Sequence, residues 1–268
     1  MASRISHIFA MLAIASCLIC GCKGATDSNG NNTHINIGDS IPQQFSSYLY
    51  QTAQLDMSNN VIPGTLSPAN HSAIVVSTGL TQFGKNNAYL VLYDGDTSYY
   101  AYEPSSDVSI YLQNPGYFQS FPGYNIDETL QTILDLVFHN WITLPIATKQ
   151  TLYPYDATRN IDVSGTSYPS NIHTVVEYIG DSSIVTSVGS SMKPDTLTAK
   201  HCRISITANI TFGTVVKTLT HVRDLWFVPR IGYIARLTTR TFVPDYTIQL
   251  VNLDTTATMT ILKNYILK

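Results

Sequence analysis

The chain has 268 residues and a formal charge of −3, and only 12% of it is Asp, Glu, Lys or Arg, against about a quarter in an ordinary globular protein. No basic stripe runs along it, which excludes nucleic acid as a partner. Tyr, Thr, Ser and Asn supply the polar surface instead, as in β-rich proteins outside the cytoplasm, and the length suits one large or two small domains.

The chain opens with a single basic residue, Arg4, and then an apolar run of 13 residues over 8–20. That is short of the roughly 20 residues a membrane span needs, and it has the layout of a secretory leader. Three of the four cysteines, Cys17, Cys20 and Cys22, sit in or beside its end. No His or Cys pair follows at zinc-site spacing, so a metal site is a poor reading, and no metal or other cofactor is expected. Ile19, Cys20, Gly21 and Cys22 in succession instead resemble the lipobox of bacterial lipoproteins. There an aliphatic residue stands three places before an obligatory cysteine and a small residue directly before it.

The resemblance implies removal of residues 1–21 and acylation of Cys22. The thiol takes a diacylglycerol and the new amino terminus a further acyl chain. Each buried CH₂ adds roughly 0.8 kcal/mol, and several chains anchor stably where one does not. The implied location is the bacterial cell envelope, with the membrane as partner through the anchor. Lys23 stands where some bacteria use Asp to mark inner-membrane retention, which favours the outer membrane. About 247 residues remain, carrying a charge of −4. Cys202 is then the only cysteine beside the acylated one, and no disulfide is expected. Asn-x-Ser/Thr sites at Asn31, Asn70 and Asn209 are at chance level in a chain this rich in those residues.

Residues 22–40 are small, polar and without periodicity, and read as a flexible tether. A single β-rich domain is expected over 41–268. Residues 88–102 are two β-prone runs around Asp94-Gly95, a hairpin signal. Residues 107–112, 173–180, 182–188, 215–228, 231–243, 246–253 and 256–267 continue the strand pattern. Over 202–212, Cys202, Ile204, Ile206, Ala208, Ile210 and Phe212 share one face, and Arg203, Ser205, Thr207, Asn209 and Thr211 the other. That is an antiparallel strand with one wet face. One segment differs. Over 125–141, apolar residues at 126, 130, 133, 134, 137, 138 and 141 follow helical spacing, with Asn125 or Asp127 as cap. The expected fold is mainly β: a large curved antiparallel sheet or open barrel with one amphipathic helix packed against it.

Residues 141–155, 188–206 and 224–240 resemble, in that order, the layout of a broad group of uncharacterised bacterial envelope lipoproteins. There a Pro-containing strand start precedes a strand–turn pair and then a Trp-x-x-Pro-Gly-x-Gly strand. Here Arg230 replaces the first glycine of that strand. The resemblance implies a curved antiparallel sheet, similar to that of the Lol lipoprotein carriers, and no particular activity.

Candidate chemistry is sparse. Gly-Asp-Ser occurs at 38–40 and 180–182. The first is similar to the nucleophile block of GDSL-type hydrolases, but no Asp-x-x-His follows and one helix cannot build an α/β scaffold. Both read as turns. Asp94, Asp96 and Ser98 alternate as in a calcium loop, but Tyr99 and Ser105 occupy the positions that need Gly and an acid. No histidines form an H-x-H or HExxH pair, and Cys202 reads as a buried, inert thiol. No catalytic residue is therefore assigned. The dense tyrosines at 89, 93, 99, 100, 102, 111, 117 and 124 read as cross-strand pairs, or alternatively as a stacking platform for sugars. The expected function is a non-enzymatic, membrane-anchored lipoprotein that binds or scaffolds, with an apolar ligand or an envelope protein as partner. The alternative is a surface glycan-binding or adhesin-like module.

Overall fold

A computed structural model describes residues 41–56, 58–113, 128–163, 165–242 and 257–268. In chain order the described elements are β1 (Ser47–Leu55), β2 (His71–Gln82), β3 (Lys85–Tyr93), β4 (Asp96–Tyr102), β5 (Val108–Leu112), α1 (Glu128–Phe138), β6 (Ile142–Leu144), β7 (Leu152–Val163), β8 (Thr166–Val188), β9 (Lys193–Phe212), β10 (Val215–Val228), a 3-10 turn (Pro229–Ile231), β11 (Tyr233–Phe242) and β12 (Ala257–Ile266). All twelve strands join one sheet in the order β6-β5-β4-β3-β2-β1-β12-β11-β10-β9-β8-β7. The mainly β fold with a lone described helix matches the sequence expectation.

Neighbours in that order pair antiparallel, as hairpin connections require. Asp94 and Gly95 turn β3 into β4 with φ of 46° and 108°, the left-handed pair that Asp-Gly readily supplies. In β9, Cys202, Ile204, Ile206, Ala208 and Ile210 are all buried, because a period of two puts them on the inner face. The runs at 173–180 and 182–188 are one strand, not two. A register shift between Tyr178 and Gly180 absorbs the break as a bulge.

That bulge shapes the sheet. β8 and β9 span 23 and 20 residues, far beyond the usual length of about six. Past the bulge their hairpin reaches across to β12, where Asn264 and Tyr265 pair in parallel with Ser187 and Val188. β8 to β12 thus close into a five-stranded ring. Side chains reinforce the seam. Ser187 Oγ bonds the Lys263 carbonyl at 2.7 Å and Asn264 Oδ1 at 2.9 Å, and Asn264 Nδ2 donates to the Gly189 carbonyl at 3.2 Å.

α1 lies beside β7 and buries Leu130, Ile133, Leu134, Val137 and Phe138, the stripe expected from 3.6-residue spacing. Trp141 was expected to extend that stripe. The helix instead ends at Phe138, and Trp141 leads into β6 with its indole N–H donating to the Phe83 carbonyl at 3.0 Å. Residues 1–40, Asn125 to Asp127 and 246–253 lie outside the described residues.

Candidate functional site

The sheet's inner face is the place to look for a ligand, because there the walls converge. Its floor is a cluster of tyrosines contributed by alternate positions of β1, β3, β4 and β11. Tyr48 Oη donates to the Ile231 carbonyl at 2.7 Å, Tyr50 to Ile234 at 2.6 Å, and Tyr89 to Gly232 at 2.6 Å. The rings pack on one another: Tyr48 and Tyr233 lie 4.9 Å apart, Tyr89 and Tyr100 5.4 Å, and Tyr100 meets Tyr233 edge-on at 5.2 Å. Two distant parts of the sequence are thus bolted together across the interior. The accepting backbone is exceptional: Gly232 takes a φ of 63° to end the 3-10 turn, which glycine does without strain. Burial pushes the phenols of Tyr50, Tyr89 and Tyr233 well above their ordinary range, and that of Tyr100 to about 12. They stay protonated; Tyr50 and Tyr89 donate to backbone carbonyls, whereas the buried hydroxyls of Tyr100 and Tyr233 have no hydrogen-bond partner among the described residues.

Beside this floor β10 turns a polar row inward. Lys217, His221 and Arg223 are all buried, on the same parity as Leu219 and Leu225. Arg223 lies over the Phe138 ring at 4.3 Å, and its Nε donates to His221 Nε2 at 3.2 Å. His221 Nε2 must accept that proton, so Nδ1 carries the imidazole hydrogen and gives it to Thr241 Oγ1 at 2.9 Å. Burial first, and the Arg223 charge second, hold His221 well below its ordinary pKa, so it is neutral. Desolvation lowers the Arg223 guanidinium to about 9.

Ile110, Leu112, Phe138, Ile204, Arg223 and Leu225 are among the residues around a cavity next to α1. Its volume is about 10 Å³, room for about one water-sized sphere. Among the described residues, that cavity has no room for an acyl chain.

Four histidines meet aspartates on outer or partly exposed surfaces. His71 Nδ1 bonds Asp94 at 2.6 Å while its Nε2 lies 3.4 Å from Thr52 Oγ1. The order hydroxyl–imidazole–carboxylate is that of an acylation triad. The hydroxyl, however, belongs to a buried threonine that also bonds Ser67 Oγ at 3.0 Å, and the Thr52 N–H is spent on the same Ser67 Oγ at 2.9 Å. No oxyanion donor is on offer from that N–H, and the cluster works as a clamp between β1, β2 and the β3–β4 turn. His201 bonds Asp224 at 2.8 Å beside a two-pronged contact from Arg203. Burial opposes ionisation of Asp224, but the bonds from His201 and Arg203 outweigh it and hold the carboxyl below its usual range. His173 and His139 make looser approaches to Asp156 and Asp135.

The described tyrosines divide between the interior and a partly exposed aromatic cluster. Tyr89, Tyr93 and Tyr100 face inward, Tyr111 stacks under Phe83 at 4.1 Å, and Tyr99 meets the edge of the same ring. The Trp226 ring packs against His201 at 4.1 Å and Arg236 at 4.6 Å. Phe83 keeps 47% of its surface in solvent, and Tyr99 and Tyr111 are half-buried around it. Tyr117 and Tyr124 lie outside the described residues.

Among the residues singled out in the sequence, Ser182 follows the β8 bulge, where Asp181 is engaged by Lys200 and Tyr178. Gly180-Asp181-Ser182 is a bulge rather than a turn. Cys202 is fully buried, and desolvation first and Asp107 second raise its thiol to about 12. Cys22 and Ser40 lie outside the described residues. Sequence reasoning missed the inward row of β10, although one signal was present: Lys217, His221 and Arg223 fall on the apolar parity of their strand.

No protein-family model and no curated protein matches this chain. Three solved structures are similar at low identity. A candidate lipoprotein of Parabacteroides distasonis is 15% identical, with 85% of this chain and 97% of that one covered and a TM-score of 0.40. A candidate exported protein with a YmcC-like fold from Bacteroides fragilis is 10% identical, with 84% and 97% covered and a TM-score of 0.35. The hypothetical lipoprotein YmcC of Escherichia coli is 7% identical, with 86% and 89% covered and a TM-score of 0.30.

Proposed function

We propose that this chain is a lipoprotein of the bacterial cell envelope, acylated at Cys22 after removal of residues 1–21, whose β domain serves as a non-enzymatic binding or scaffolding module. The observation that carries the reading is the run of Ile19, Cys20, Gly21 and Cys22 at the end of a short apolar stretch. The small, polar, aperiodic run over 22–40 suits a tether, and Lys23 favours the outer membrane. The clamp role of Thr52, His71 and Asp94 supports the absence of acyl-transfer chemistry. The 10 Å³ cavity beside α1 supports a structural interior over an apolar-ligand pocket.

In a bacterial host, Cys22→Ser removes the acyl acceptor. The expected result is loss of labelling by a fatty-acid probe and release from the membrane fraction. Labelling that persists in the variant refutes the reading.

A further inference from the structure

At the end of the sheet where the chain enters the domain, several large apolar side chains stand in solvent. We infer that this end is a membrane-docking rim, in which Phe45, Val185, Met192 and Leu267 enter the interfacial layer of an anionic bilayer while Lys193 and Lys263 meet its headgroups. The inference rests on the lipid-anchored reading above.

Three chain segments place these residues together. Ser47 pairs with Ile266 and Lys268 N–H reaches Ser46 Oγ at 3.3 Å, so Phe45 and Leu267 are neighbours. The β8–β9 turn is tied to the same spot, because Gly189 N–H donates to the Tyr265 carbonyl at 2.9 Å and Met192 N–H to Gly189 at 3.1 Å. Val185 lies two residues before Ser187, which bonds Lys263 directly. The four apolar residues are 57%, 75%, 55% and 42% exposed in the order named. Clustered large apolar groups at one end of a fold mark an interaction surface, whereas single ones scattered over it do not.

The backbone adds a second observation. Phe45 and Met192 have φ of 67° and 51°, a conformation that Gly and Asn take readily and bulky residues do not. Neither side chain is rewarded by burial within the domain. An aromatic and a thioether held in unfavourable backbone on a wet turn gain a place to go only if something covers them.

Charge and connectivity select the bilayer as that cover. The acids nearest this end are already paired, Asp195 with Arg230 and Asp181 with Lys200. Lys193 and Lys263 are exposed and make no ion pair among the described residues. The opposite end also exposes Val215 and Val216, but it carries Asp56 and Asp162 and lies the length of β1 from the tether. Read from the sequence as a tether, residues 22–40 number 19, and a chain of that length with tether-like composition spans a root-mean-square distance of about 25 Å. An anchor at Cys22 therefore holds this end, and not the other, against the lipid surface, where weak contacts gain from high local concentration.

The test uses residues 23–268, which lack both the apolar leader and the acyl acceptor, with a cooperative melt as the check on folding. Sedimentation with vesicles of phosphatidylglycerol and phosphatidylcholine should show binding that weakens with added salt and is much lower on phosphatidylcholine alone. Phe45→Asn and Met192→Asn should each weaken the partition about fivefold through lost apolar burial, and Lys193→Ser about fivefold through lost attraction to the headgroups. Asn suits the left-handed backbone, so the two Asn variants should melt no lower than the parent. Absence of binding to anionic vesicles, or binding that none of the three variants weakens, overturns the rim. Fatty-acid labelling of Cys22 in cells reads the anchor separately. A labelled protein whose 23–268 segment ignores anionic vesicles sinks the rim alone, and an unlabelled protein whose segment binds them sinks the anchor and leaves the rim standing.

Discussion

Removing one oxygen from the interior should cost more than its size suggests. Tyr89→Phe deletes the hydroxyl that donates to the Gly232 carbonyl at 2.6 Å, from a side chain with no exposed surface. Phe fills the same volume, so no cavity opens and the cost is that of a buried carbonyl stripped of its donor. A buried group left so costs about 1–3 kcal/mol, and a loss near 2 kcal/mol lowers the melting temperature of a domain this large by roughly 4–8 °C. Tyr48→Phe acts on the neighbouring carbonyl of the same turn. If the turn moves as a unit, the double variant should lose less than the sum of the two, because neighbours sharing a partner couple. Tyr153→Phe is the control, since Tyr153 is well exposed and a surface change of this kind stays within about 0.5 kcal/mol. Urea and thermal melts of the parent and the four variants decide the matter. If Tyr89→Phe and Tyr48→Phe melt with the control, the hydroxyls do not hold the two halves of the sheet together.

Two further outcomes follow from the same interior and from the seam. Tyr48, Tyr50, Tyr89, Tyr100 and Tyr233 all have folded pKa values raised above 10, mainly by burial. The unfolded chain loses these protons near pH 10 while the fold keeps them. Their contribution is therefore fully present below pH 10 and is lost as pH rises through the folded values. The decline should reach about 7 kcal/mol per pH unit for five groups. Urea melts on either side of pH 10, with phenolate absorbance followed in parallel, should show ionisation and unfolding together; tyrosines that all titrate in a folded protein would contradict this. At the seam, Ser187→Ala removes the bonds to Lys263 and Asn264. It should cost about 1–2 kcal/mol locally and speed hydrogen exchange of residues 181–200 far more than the rest, while equal protection in both proteins would show the ring to be held by other contacts.

Strand parity was legible because it depends only on which side of the pleat a residue faces. Hence 202–212, the Asp94-Gly95 hairpin and the buried stripe of α1 could be read directly. Pairing across the interior was not legible, since nothing in Tyr48, Tyr50 or Tyr89 names Ile231, Gly232 or Ile234 as a partner. The bulge at Gly180 hid in the same way: two apparent strands became one because the ladder to β9 runs through the break. Trp141 matched the helical spacing by coincidence, its position set by the start of β6. Three histidines followed a third pattern: His71, His173 and His201 were unremarkable alone and acquired an aspartate only through a cross-strand neighbour or a turn.

Positions at which local preference and final placement disagree carry the most information that parity cannot supply. Arg223 and His221 break the apolar rule of their face, and the structure answers with Phe138, Thr241 and a shared proton. That conflict is resolved inside the molecule. Phe45 and Met192 break two rules at once, backbone and burial, and nothing in the described domain answers them. When sequence and fold agree almost everywhere, an unresolved conflict of that kind locates function better than an unusual residue does. The same logic separates the two ends of the sheet. Val215 and Val216 sit on an ordinary hairpin, in a conformation β-branched residues favour, and their exposure calls for no partner. The tether end therefore differs from the other in kind, through strained turns, unpaired lysines and the entry point of the chain, and not merely in the number of apolar groups it shows to water.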